Sequence, residues 1–170
     1  MLTTLNKIRN FQPCAPSWEK LLSHLGKVQA DDEPLLITTI LESNGIRDAA
    51  WCMRAETIIG REKEMKLFAA DCAESILHIF ENEYADDKRP RLAIDTIRNY
   101  VKGFATKEEL VTATLEAYQS YFSAYKHYEI AYCAYLAAHY ETPFYCVAGA
   151  IDSGAADLDF LNSLLIKYLS

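Results

Sequence analysis

The sequence predicts an all-α fold, a single-domain bundle of about seven to eight helices built around a central helical hairpin. Three observations predict it. Apolar residues recur at three- and four-residue spacing along nearly the whole chain, and no segment sustains the alternation of a strand. The interruptions carry helix caps and stops: Asp87 with Pro90, Gly103, and Thr106 with Glu109. At 170 residues, the chain is long enough for one self-sufficient core, so residues 1–170 are expected to form one helical domain.

Taken in order, Ser17 is expected to cap a first helix carrying Trp18, Leu21, Leu22, Leu25 and Val28 on one side. Asp31-Asp32-Glu33-Pro34 opens a second, with Leu36, Ile37, Ile40 and Leu41 inward, and Asn44-Gly45 stops it. A short third helix runs from Arg47 to Ala55 and holds Trp51 and Cys52. The fourth, from Arg61 to Glu83, is apolar over most of its circumference through Met65, Phe68, Ala69, Cys72, Ile76, Ile79 and Phe80. Such a helix belongs at the centre of the core. The turn from Ala85 to Arg91 opens with acids and closes with bases, and the fifth helix follows with Ile94, Ile97, Val101 and Phe104 as its apolar stripe. Gly103 closes it, and a capping box at Thr106 and Glu109 opens a long helix reaching Tyr140. Thr142-Pro143 starts another, Asp152-Ser153-Gly154 breaks it, and a last helix carries Leu158, Leu161, Leu165 and Tyr168. The segment 106–170 thus comprises the long helix and the C-terminal helices.

Folding the fourth and fifth helices back to back about Asp86 levels Glu81 with Arg91, His78 with Asp95, Glu74 with Arg98, and Asp71 with Lys102. Exposed pairs in this polar zipper would contribute only about 0–1 kcal/mol each, and partial burial would make it chiefly a register device. An exchange of Arg98→Glu with Glu74→Arg is the corresponding test. The same stripe offers a second use, with Lys88, Arg91, Arg98 and Lys102 as contacts for a partner.

On the long helix, Tyr118, Tyr121, Tyr125, Tyr128, Tyr132 and Tyr135 follow a 3-4-3-4-3 spacing that extends Val111 and Leu115. Tyrosine buries a ring while its hydroxyl needs a partner, so the seam suits a half-buried groove or an interface edge. It either packs on its own domain with hydroxyls at the rim or joins a partner or a second copy. Tyr118, Tyr121, Tyr125 and Tyr128 are therefore candidate partner-binding residues.

The net charge of −7 argues against general nucleic-acid binding and suits a basic partner. Charges interrupt every apolar run before the about 18 residues that a membrane span needs. Met1 is not followed by a basic segment and an apolar one, so no secretory signal is read, and the expected location is cytoplasmic. Five cysteines, odd in number, widely spaced and without a CxxC pair, read as reduced thiols. Asp71, Glu74, His78 and Glu81 share a stripe, but helical carboxylate-bridged metal sites use paired Glu-x-x-His motifs, whereas here a single Glu74-x-x-x-His78 occurs. Neither G-x-S-x-G, a P-loop nor G-x-G-x-x-G is present, and His24, His127 and His139 lack a nucleophile motif. No enzyme, no metal and no cofactor is expected.

The stretch Leu67 to Glu81, Phe68-Ala69-Ala70-Asp71-Cys72-Ala73-Glu74 at its heart, followed by Asp86-Asp87-Lys88-Arg89-Pro90-Arg91 and Ala93-Ile94, resembles the Imm-5-like putative immunity proteins. Gly103 through Leu110 fits the same pattern. Pro13-Cys14, Trp18, Leu25-Gly26-Lys27, Asp31 to Pro34, Ile40 to Gly45 and Asp48 to Arg54 are similar to related phage and bacterial proteins of unknown role. The resemblance spans residues 5–116, and the tyrosine seam departs from it. It implies an intracellular protein that binds and neutralises a cognate toxin or effector without catalysis. The alternatives are a phage-encoded antagonist of a host defence protein and a self-associating helical scaffold, hence a homo-oligomer.

Overall fold

The computed structural model describes residues 1–53, 60–124, 128–139 and 144–169. Among them are ten helices and one minimal ladder, the all-α bundle that the periodicity predicts with more helices than expected. The ladder pairs β1 (Leu2–Thr3) antiparallel with β2 (Leu35–Leu36), Leu2 opposite Leu36.

The extra elements lie at the start of the chain. Thr4 caps α1 (Leu5–Asn10) by accepting from the Lys7 N–H at 3.2 Å. Six residues are too few for a periodic signal. α2 (Ala15–Leu25) begins two residues before Ser17, with Pro16 in its first turn, and stops at Gly26 with φ 64°. Pro34 does not open a helix. Leu35 and Leu36 stay extended because β1 takes their backbone groups, and α3 (Ile37–Asn44) begins after them. Gly45, at φ 93° and ψ 174°, ends α3 and immediately begins α4 (Ile46–Cys52). Only glycine adopts that conformation without strain. The expected extension of α4 to Arg54 and Ala55 lies outside the described residues.

α5 (Glu62–Glu83) is central as its composition predicts. Phe68, Cys72, Ile76, Leu77 and Phe80 are fully buried, and α6 (Arg89–Lys102), α8 (Tyr128–His139), α9 (Phe144–Asp152) and α10 (Leu158–Leu169) all pack against it. α6 runs from Pro90 in its first turn to Gly103 at φ 80°. The capping box opens α7 (Lys107–Ser123): Thr106 accepts from the Glu109 N–H at 3.2 Å, and Glu109 accepts from the Thr106 N–H at 2.7 Å.

α8 is a second central helix that the sequence pattern does not single out. Ile130, Ala131, Cys133, Ala134 and Ala137 are each buried, and α8 touches α5, α6, α7 and α9. Its fit against α9 is tight. A Cβ added at Gly149 would lie 2.7 Å from the Cys133 sulfur. Gly149→Ala is therefore expected to cost about 1–3 kcal/mol. In a Cys133→Ala background the same substitution should be nearly neutral, which a double-mutant cycle of urea unfolding measures.

Of the five cysteines, Cys14 is exposed and Cys52, Cys72, Cys133 and Cys146 are buried, all as free thiols. Burial pushes the Cys52 and Cys133 thiols up to about 12 and raises Cys72 and Cys146 as well. These groups stay protonated and behave as small hydrophobes.

Met1 meets the last turn of α10. The Met1 amine lies 3.4 Å from the Leu169 carbonyl, and the Arg61 guanidinium donates to the carbonyls of Tyr168 and Leu169 at 3.0 and 3.5 Å, capping α10.

Candidate functional site

The antiparallel pairing of α5 and α6 brings the charged stripe together, though not as isolated rungs. Arg91 forms a bidentate pair with Glu81, at 2.9 and 2.7 Å, and also contacts Glu74. Arg98 donates to Glu74 at 2.5 Å and to Asp71 at 2.7 Å. Glu74 thus bridges two arginines, and Asp71 accepts a further bond from the Tyr168 hydroxyl of α10 at 2.7 Å. The expected rungs Glu81–Arg91 and Glu74–Arg98 form. Those of His78 with Asp95 and Asp71 with Lys102 do not: His78 and Lys102 are exposed, and Asp71 is engaged by Arg98. The hydrogen bonds from Arg98 and Arg91 hold Glu74 below the usual carboxylate range, and Arg91 does the same for Glu81. Among the described residues, no three His, Cys, Asp or Glu side chains converge as metal ligands.

Asp87 organises the turn. It accepts both guanidinium bonds of Arg89 at 2.8 and 2.7 Å, the Arg89 backbone N–H at 3.1 Å, and the Ser120 hydroxyl of α7 at 2.8 Å. It does the work of a cap one residue ahead of the helix boundary. The Arg89 pair, helped by Ser120, brings Asp87 down to about 2 against the opposing effect of burial. A depressed carboxylate contributes stability above its unfolded pKa of about 4 and loses it as pH falls through the folded value. Wild type minus Asp87→Asn, measured by urea unfolding, should therefore show a stability difference at pH 5 that shrinks between pH 4 and pH 2. A constant difference would refute the assignment.

The long helix expected from Thr106 to Tyr140 is two helices. α7 ends at Ser123, Ala124 is extended at φ −81° and ψ 124°, and α8 starts at Tyr128 and packs against α7. Neither glycine nor proline marks the break. Its cause is tertiary: α8 is apolar nearly all round and becomes buried only by folding back. Tyr118 and Tyr121 consequently face Tyr135 and Tyr132 across the two helices. Tyr118 meets Tyr135 at 4.8 Å between ring centroids, and Tyr121 meets Tyr132 at 4.9 Å. Tyr135 stacks on His139 at 5.1 Å. Tyr125 lies outside the described residues; Tyr128 begins α8.

What α7 shows to solvent is a different stripe. Val111, Leu115, Tyr118 and Phe122 are exposed by 50, 56, 37 and 68 %, one helical face of apolar side chains. Phe122 packs edge-on against both Tyr118 and Tyr121 at 4.8 Å, so the face is ordered by its own rings. Beside it runs a groove of about 520 Å³, lined by Lys66, Lys107, Leu115, Tyr118, Tyr135 and others. Glu108, Thr112 and Gln119 form an exposed polar flank. The sequence reading missed Phe122, which continues the spacing of Val111, Leu115 and Tyr118 but was masked by Tyr121 beside it.

Of the sequence-derived contact residues, Lys88 and Lys102 are exposed, Arg91 and Arg98 are half-buried in the carboxylate network, and Tyr118 and Tyr121 join the aromatic hairpin. Residues 60–121, which make up α5, α6 and most of α7, match one family. That family is the Imm-5 like putative immunity protein. The Imm-5-like segment is a little over a third of the chain; it reaches beyond residue 116, and residues 5–59 of the sequence-based resemblance lie outside it. It holds the whole α5–α6 charge network and three of the four exposed apolar residues of α7. No curated protein and no solved structure matches the chain. No helix among the described residues is long and apolar enough to cross a membrane.

Proposed function

We infer that the chain is an immunity-type inhibitor, which occupies a cognate protein toxin or effector by surface complementarity and performs no chemistry on it. The observation that carries this reading is the ordered apolar stripe Val111, Leu115, Tyr118 and Phe122, set in and beside the Imm-5-like segment. Contiguous apolar side chains rimmed by polar ones mark interaction surfaces, and tyrosine is enriched among binding hot spots. The net charge of −7, with Glu108 and Glu116 flanking the stripe, suits a basic partner. Lys88 and Lys102 are peripheral contacts in this reading, while Arg91 and Arg98 serve the fold. An antagonist of a host defence protein would use the same face on a different target.

A second reading rests on the same exposed face: two copies of the chain can bury it against each other, as a self-associating scaffold. Affinity capture of the tagged protein from its native cells separates the two. Inhibition predicts one stoichiometric protein partner, lost when Leu115→Asp and Phe122→Asp are combined, with affinity falling at least about 100-fold and the thermal melt unchanged. Recovery of the bait alone, with a mass that rises with concentration and drops in the same variant, would establish the scaffold instead.

A further inference from the structure

Both tryptophans of the chain, Trp18 and Trp51, line one cavity far from the α7 face in sequence. The cavity encloses about 350 Å³ between α1, α2, α3, α4, the segment joining α1 to α2, and Phe144 at the start of α9. Ligand pockets measure about 300–1,000 Å³ and combine apolar walls with a few placed polar groups. Here Ile8, Leu21 and Ile40, all buried, supply apolar wall, and Phe11 stands edge-on to Trp51 at 6.5 Å.

The polar side of the cavity holds a fixed carboxylate. The Asn44 amide donates to the Ser17 carbonyl and to the Asp48 carboxylate, both at 2.8 Å, so one side chain ties α2 to α4 and orients the carboxylate. Asp48 accepts from this neutral amide and forms no ion pair among the described residues. Arg47, the one Lys or Arg among the described lining residues, is turned to Asp152 at 2.5 Å. Among the described residues, the cavity therefore presents a carboxylate without an ion pair beside the rings of Trp18, Trp51 and Phe144. Aromatic rings attract cations through their quadrupoles, and aromatic cages recognise quaternary ammonium groups.

We propose that this cavity binds a small organic cation, its apolar body among Trp18, Trp51 and Leu21 and its ammonium group against Asp48. The site is independent of the protein-binding reading, since none of its residues belongs to the Imm-5-like segment. The chain supplies its own reporter, because the only two tryptophans are both at the site. Benzyltrimethylammonium titrated into the full-length protein should give a saturable change in tryptophan fluorescence. Asp48→Asn, which keeps an acceptor for Asn44, should weaken binding at least tenfold. Ser17→Leu, which fills the cavity without touching the carboxylate, should abolish it, and circular dichroism checks that each variant is folded. Neopentylbenzene, the uncharged isostere, should bind at least tenfold more weakly than the cation. No saturable change in the wild type, equal affinity in Asp48→Asn, or equal affinity for the uncharged isostere would each overturn the proposal.

Discussion

Phe80→Ala is expected to remove about 3–5 kcal/mol of stability, a large share of what a single domain has to lose. The ring is fully buried on α5, one turn before the chain leaves the helix, and it stacks on Tyr84 at 4.9 Å. The Tyr84 N–H also closes the helix on the Phe80 carbonyl at 2.8 Å. Truncation therefore opens a void where α5 hands the chain to the turn that sets the α5–α6 register. Surrounding helices cannot all collapse into it, so transfer and cavity costs add. Phe122→Ala provides the contrast. That ring is mostly exposed, and its loss should stay within about 0.5 kcal/mol. Urea unfolding of the two variants decides the matter; similar losses would mean that Phe80 is not where the core lies.

Arg98→Met should cost about 2–3 kcal/mol at neutral pH. Arg98 joins Asp71 and Glu74 at a site where its side chain is only 25 % exposed. Methionine keeps most of the apolar stem but leaves two neighbouring carboxylates facing each other, Glu74 retaining Arg91 and Asp71 retaining the Tyr168 hydroxyl. The penalty is that of stranded charge. It should shrink as pH falls through the carboxylate range, because protonation removes the repulsion, and Asp71→Asn in the Arg98→Met background should recover much of it. A loss equal at pH 7 and pH 3 would assign the effect to packing instead.

The same network shows how much of the hairpin was legible in the sequence. Charge alternation and the intervening turn were enough to level Glu81 with Arg91 and Glu74 with Arg98. One-to-one rungs were too simple, because an arginine fork reaches two carboxylates and Glu74 lies between two such forks. The exchange of Arg98→Glu with Glu74→Arg is accordingly not expected to restore stability: the new arginine would face Arg91, and the new glutamate would face Asp71.

Helix ends governed by local chemistry were readable for the same reason. The Thr106–Glu109 box, Gly103 and Pro90 act within a turn of their own positions. The break after Ser123 has no such chemistry. Its cause is the need to bury Ile130, Cys133 and Ala137, which only a view of the whole core supplies. Without it the aromatic pairs read as one straight seam, in which Tyr121 stands out and Phe122 does not. The periodicity likewise places Leu36 in a helix, because its strand partner Leu2 sits more than thirty residues away. The cavity at Trp18 and Trp51 leaves no signal in the sequence, since its walls come from six segments.

The contacts at Tyr168 and Leu169 bear on mechanics. Met1, Arg61 and Asp71 hold α10 through the Leu169 carbonyl, the Tyr168 carbonyl and the Tyr168 hydroxyl. Tension applied between Met1 and Leu169 would load this clasp first and peel α10 from α5. The α6–α7 hairpin, with the exposed apolar face, lies outside that line of force and would keep its shape until the clasp had parted.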